Sequence, residues 1–164
     1  MSEDNRLIVE PRKFKHNQSF RLETGESLDG FELIYETYGK LSEKKDNAIL
    51  ICHALSGNHH AAGLSDENDK RPGWWNELIG PGKAFDSEKY FIVSLNNLGG
   101  CHGSTGPSSI DPSNNEKYGK NFPTKNLLKS GHPVFGGNGI IGYHSNFLYE
   151  QQMTLMSVSY THLE

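Results

Sequence analysis

A chain of 164 residues holds one ordinary domain or part of a larger one, because domains cluster near about 100–150 residues and many α/β folds run longer. Apolar residues make up 34% and glycines number 18, so a core can form and loops are plentiful. With 20 acidic against 16 basic residues, the net charge of −4 gives no broad electrostatic reason to bind nucleic acid or an anionic membrane.

In chain order, Met1-Ser2-Glu3-Asp4-Asn5-Arg6 is too polar for a signal peptide, and no stretch reaches the ~20 apolar residues of a membrane span. A cytoplasmic chain with no membrane partner is expected. Residues 1–18 are charged, carry Pro11 and show no period, so they read as a flexible lead-in. From Ser19 onward Phe20 and Leu22 alternate with polar residues, a turn-rich run from Thr24 to Gly30 follows, and Phe31, Leu33 and Tyr35 alternate with Glu32 and Glu36. This pattern predicts a hairpin. After the charged turn from Ser42 to Asn47, Ala48-Ile49-Leu50-Ile51-Cys52 is apolar throughout, as in a strand buried on both faces of a parallel sheet, and Tyr90 to Leu95 is a second such run. Parallel strands need a crossover, and the helical candidate between them lies around Trp74 to Ile79. One helix cannot cover a parallel sheet, so the covering elements are expected downstream of residue 124.

Both buried strands run into glycine-rich loops, and open α/β sheets place their chemistry at the carboxyl ends of their strands. The first loop is His53 to Gly63 and the second is Asn96 to Ser109. Gly99-x-Cys101-x-Gly103 has the spacing of a nucleophile elbow with Cys in place of Ser, but Ser104-Thr105-Gly106-Pro107-Ser108-Ser109 cannot form the helix that an elbow requires. A small structural thiol is the better reading of Cys101. Cys52 and Cys101 have no C-x-x-C partner and are expected to be reduced. His53, His59, His60 and His102 could converge on a metal. No carboxylate or cysteine pattern supports one, and adjacent histidines usually point apart, so loop hydrogen bonding is preferred and no metal site is expected. Gly137-x-Gly139-x-x-Gly142 matches the dinucleotide fingerprint by letter alone, with little strand before it. Trp74 and Trp75 read as packing residues.

Ala48 to Gly63, Arg71 to Lys83 with its Pro-Gly-Trp-Trp, Leu95 to Pro112 with its Leu-Gly-Gly-Cys-x-Gly-Ser-x-Gly-Pro, and Tyr118-Gly119 with Phe122-Pro123 together resemble the N-terminal part of the homoserine O-acyltransferases. The resemblance runs from about Ser19 to Thr124. It implies an α/β-hydrolase fold, here its N-terminal part: an antiparallel hairpin followed by parallel strands, ending before the nucleophile elbow. It also implies acyl transfer from an acyl-CoA to the hydroxyl of L-homoserine through an acyl-serine, with a Ser-His-Asp triad, no cofactor, and a homodimer. In that scheme Leu55 matches the backbone donor to the oxyanion. His53, Ser56, Gly57, Asn97, Gly99, Gly100 and Cys101 match the walls of the substrate tunnel. Ser56 to Gly63 and Leu95 to Gly99 look closer to the succinyl-CoA branch than to the acetyl-CoA branch.

After Thr124 the resemblance stops. Element lengths place an elbow serine near residues 148–155, but that window, Leu148 to Leu155, holds neither serine nor glycine, and no G-x-S-x-G occurs anywhere in the chain. Residues 125–164 therefore read as foreign to residues 19–124, through a frameshift or a join, and Val158 to Leu163 resembles translated transposon-end adaptor sequence. The triad is expected to lie outside this polypeptide, leaving it inactive and poorly folded alone. Two other readings stay open: a cysteine hydrolase using Cys101, and a non-catalytic module binding a small ligand or metal.

Overall fold

The computed structural model describes residues 7–22, 25–53, 57–100 and 102–123, so the tail from residue 125, and with it the dinucleotide-like glycines, lies outside the described residues. The chain divides into two compact units, residues 1–12 with 34–96 and residues 13–33 with 97–164. No helix among the described residues is long and apolar enough to cross a membrane.

The hairpin forms as its alternation predicts. Strands β1 (Arg12–Arg21) and β2 (Ser27–Tyr38) are joined through Leu22 and Gly25, with Leu22 N–H donating to Glu26 O (2.8 Å) and Gly25 N–H to Leu22 O (2.9 Å). The expectation of a flexible lead-in over residues 1–18 fails on two counts. Residues 12–18, read as part of a flexible lead-in, belong to β1. Ahead of them Val9 is buried, its N–H bonded to Leu64 O (2.9 Å). A lone buried valine and one backbone bridge leave no period for the sequence to display.

In the first unit, β3 (Ala48–Ile51) and β6 (Phe91–Leu95) pair in parallel, Ala48 opposite Phe91 and Ile51 opposite Ser94. The end of β2 pairs antiparallel with β6, Tyr35 opposite Leu95 and Tyr38 opposite Ile92. This is the expected crossover, but among the described residues no α-helix fills it: Trp74 to Leu78 is a succession of turns, followed by short strands β4 (Ile79–Gly80) and β5 (Phe85–Asp86). Gly73 before it and Gly80-Pro81-Gly82 after it leave too few helix-forming residues to nucleate. In β3 only Ile51 is fully buried, so its uniformly apolar run exceeds what these residues cover. The core comprises Val9, Tyr38, Ile51, Ala61, Ala62, Ile79 and Ile92, with Ile49, Trp75 and Phe85 packed against it.

The second unit has its own core of Leu28, Phe31, Leu33, Leu98, Tyr118 and Phe122. Phe31 sits beneath the rings of His16 (centroids 5.0 Å) and Phe20 (5.2 Å). Strands β7 (Ile110–Asp111) and β8 (Glu116–Lys117) form a small antiparallel ladder, and a 3₁₀ turn at Gly119–Asn121 ends the described chain near Phe122.

Candidate functional site

Because β3 and β6 are parallel and in register, the chain leaves both at the same edge of the sheet. Past β3, Cys52 is an exposed free thiol and His53 is buried. The loop is next described from Gly57. Asn58 Oδ1 accepts the N–H of His60 (2.8 Å), the Asx turn that a short amide side chain makes with backbone two residues on.

From there the loop is fastened to the Pro-Gly-Trp-Trp segment by a run of main-chain bonds. Trp75 N–H donates to Ala61 O (2.7 Å), Gly73 N–H to Gly63 O (2.9 Å) and Trp74 N–H to His60 O (3.4 Å). Side chains extend the ladder: Gly63 N–H donates to Asn76 Oδ1 (3.0 Å), and Trp74 Nε1–H to Asn58 O (3.1 Å). A Cβ at Gly73 would overlap the Ala62 nitrogen and the Ala61 carbonyl carbon, so the two backbones can lie this close only with glycine there. Trp75 stacks on Phe85 (5.6 Å, interplanar 14°) and is a packing residue as expected; Trp74 is 39% exposed and works through its indole N–H.

Beneath this loop lies a buried polar cluster that alternation hides. Phe31 and Leu33 point inward, so the same parity would put Tyr35 inside and Glu36 outside, but Glu36 is 1% exposed and Tyr35 half-buried. The inward set changes from odd to even positions between Leu33 and Glu36, where β2 passes from one core to the other. Facing pairs share a side of a sheet, so Glu36 and its partner Ser94 lie on the side of Tyr38 and Ile92.

Tyr38 O–H donates to Glu36 Oε2 (2.7 Å), and its oxygen accepts the N–H groups of Ala61 (3.0 Å) and Ala62 (2.9 Å). One donor and two lone pairs are thereby all used. His60 Nδ1 is 3.1 Å from both carboxylate oxygens and His59 Nε2 is 3.9 Å from Oε1, so the adjacent histidines converge on one acid instead of pointing apart. Burial pushes the Glu36 carboxyl above the usual carboxylate range, against the opposing hydrogen bond from Tyr38 and the charge and hydrogen bond of His60. Burial and the neighbouring Glu36 charge likewise push the Tyr38 phenol up. No group of three or more His, Cys, Asp or Glu suited to a metal occurs among the described residues.

Past β6 the second loop folds onto its own unit. Leu98, 1% exposed, plugs the second core; Gly99 N–H donates to Thr105 O (2.7 Å) and Gly100 N–H to Asn97 O (2.9 Å). Thr105 N–H donates to Glu32 O (2.8 Å), and Glu32 N–H returns to Thr105 Oγ1 (2.8 Å). Gly99, at φ 85°, takes the left-handed conformation that this reversal needs.

The residues expected at the site are thus distributed between the units. His53 and Gly57 belong to the first, where His53 is buried and Gly57 half-buried; Asn97, Gly99 and Gly100 belong to the second, where Asn97 and Gly99 are buried and Gly100 half-buried. Leu55, Ser56 and Cys101 lie outside the described residues, and with Cys101 the cysteine-elbow reading. Glu36 and Tyr38 were missed, although an acid two residues before a tyrosine near a strand's end was visible.

No family model matches the chain. Among curated proteins, the chain is 55% identical over 116 residues to the homoserine O-succinyltransferase of Halothiobacillus neapolitanus, covering 71% of this chain and 29% of that protein. It is 56% identical over 116 residues to that of Pseudomonas syringae pv. tomato, covering 71% and 31%. The chain therefore spans about a third of the length of these relatives. Among solved structures, a homoserine O-acetyltransferase from Bacillus anthracis superposes with a TM-score of 0.71 at 31% identity, over 93% of this chain and 37% of that one. A crystallised esterase superposes with a TM-score of 0.66 at 37% identity, over 75% and 38%. Both are α/β-hydrolase-fold proteins, and the mixed sheet described above is an N-terminal part of that fold.

Proposed function

With the homoserine O-acyltransferases as the family to which the matched 71% of this chain belongs, we propose that it supplies the N-terminal part of a site that moves a succinyl group from succinyl-CoA to the hydroxyl of L-homoserine. The observation that carries this reading is the identity of 55% over 116 residues to a homoserine O-succinyltransferase. In the reaction a serine attacks the thioester carbonyl, the oxyanion of the tetrahedral intermediate is met by backbone N–H groups, and CoA leaves as the thiol. The homoserine hydroxyl then attacks the acyl-serine. Leu55 N–H is the proposed oxyanion donor from this chain, and His53, Ser56, Gly57, Asn97, Gly99, Gly100 and Cys101 are proposed to line the substrate tunnel. The nucleophile, acid and base are not supplied by the matched part. The reading also carries a cytoplasmic location, a homodimer and no resident cofactor, acyl-CoA being a co-substrate.

The likeness to a homoserine O-acetyltransferase supports a second donor, acetyl-CoA, at 31% identity against 55%. One experiment treats both. In the Halothiobacillus enzyme the corresponding segment is replaced by residues 7–123 of this chain, and homoserine-dependent CoA release is followed with each donor. Succinyl-CoA is the expected preference. A chimera that folds, by circular dichroism, and uses neither donor would sink the reading; one that prefers acetyl-CoA would replace it with the second.

A further inference from the structure

Glu36 stands where an aliphatic residue would pack a sheet, and it meets the His60 ring that the loop after β3 turns toward it. We propose that Glu36 is a positioning residue for the acyl-transfer site: through Tyr38 and His60 its carboxyl group sets the place of the loop Gly57–Gly63. The inference rests on the reading of the reaction above.

The geometry works by exhausting hydrogen-bonding capacity. A tyrosine hydroxyl that accepts two amides must send its own hydrogen elsewhere, and the acceptor it meets is Glu36 Oε2, 2.7 Å away. Removing that acceptor frees the hydroxyl to rotate, and its lone pairs no longer have to face Ala61 and Ala62, both of which are 0% exposed. The second hold on the loop is His60, whose Nδ1 lies 3.1 Å from the same carboxyl group. One acid on a strand therefore reaches three consecutive loop residues, His60 by its ring and Ala61 and Ala62 by their amides. On the other side the loop is fixed by Gly73, Trp74, Trp75 and Asn76, so a shift on the Glu36 side is not absorbed there. An oxyanion hole acts only if its donors are held where charge develops, and a misplacement of about 1 Å can cost ~10²-fold in rate.

The test has two arms. In the chimera, once it is shown to fold by circular dichroism, Glu36→Ala and Tyr38→Phe are expected to speed hydrogen exchange at the Ala61 and Ala62 amides at least ~10-fold relative to amides in β6, and unchanged relative exchange would overturn the hold on the loop. In the active chimera, Glu36→Ala is expected to lower kcat by ~10–100-fold with KM for either substrate held within about threefold. Glu36→Gln keeps an acceptor for Tyr38 and an N–H that the other His60 tautomer can accept, and is expected to recover at least ~10-fold of the lost kcat. Should Glu36→Ala not fold, Tyr38→Phe keeps the ring and carries the same kcat prediction. A kcat within about threefold of the parent for Glu36→Ala, or for Tyr38→Phe where it takes that place, or no recovery with glutamine, would overturn the positioning role while leaving the family reaction standing. A parent chimera without activity would instead fail the reaction reading, and the positioning role with it.

Discussion

At the scale of single residues, Glu36 dominates because a buried carboxyl is costly to ionise. Its pKa lies above the ordinary 4.5, with burial as the first cause. The native state therefore binds more protons than the unfolded chain between 4.5 and the raised folded value, so stability falls as pH rises through that window. Asp86 has the opposite sign. Hydrogen bonds from Lys89 and from the amides of Glu88 and Gly82 hold its carboxyl below the ordinary 3.8, so its contribution is present above that value and lost as pH falls. Urea midpoints of the parent and Glu36→Gln, measured from pH 4.5 upward, are expected to diverge, the parent losing stability with rising pH relative to the variant. Parallel curves would contradict the burial of this carboxyl.

At the scale of elements, the Pro-Gly-Trp-Trp segment shows why a turn succession can be as specific as a helix. Its backbone donors are matched one by one to the carbonyls of the loop after β3, and Gly73 is the position at which the two chains come closest. Gly73→Ala is expected to cost about 1–3 kcal/mol or more, since the added methyl overlaps backbone that cannot rotate away. Chemical denaturation checks this, and a midpoint within error of the parent would mean that the close approach is not kept in solution. The second loop uses a different device, an apolar anchor: Leu98 enters the second core while Thr105 and Glu32 exchange backbone and hydroxyl bonds. The motif letters of both loops were legible in the sequence. Which of their residues face backbone, core or solvent was not, because those roles depend on partners far along the chain.

At the scale of the whole molecule, the chain matches about a third of its relatives' length and contains no G-x-S-x-G. Acyl transfer needs an activated nucleophile as well as an oxyanion hole, and removing the nucleophile abolishes nearly all turnover. The purified 164-residue polypeptide is therefore expected to release no CoA from succinyl-CoA or acetyl-CoA above background in the presence of homoserine. Turnover by this chain alone would show that a nucleophile within these residues had been overlooked.

The amino-acid sequence by itself determined the hairpin, the parallel pair of β3 and β6, and the family, because each is written in short-range pattern: period-two alternation, uniformly apolar runs and contiguous glycine-rich motifs. Tertiary structure alone decided three things. Arg12 to Gln18 joins β1 despite its charge, because pairing with a neighbouring strand supplies what hydrophobic pattern does not. Trp74 to Leu78 forms turns instead of a helix, the Trp74 and Trp75 amides bonding the loop beside it while Asn76 and Leu78 donate locally to Gly73 and Trp75. Glu36 lies inside, because β2 serves two cores and changes its inward side between them, a change set by what packs against each half and not by any local preference of the residues.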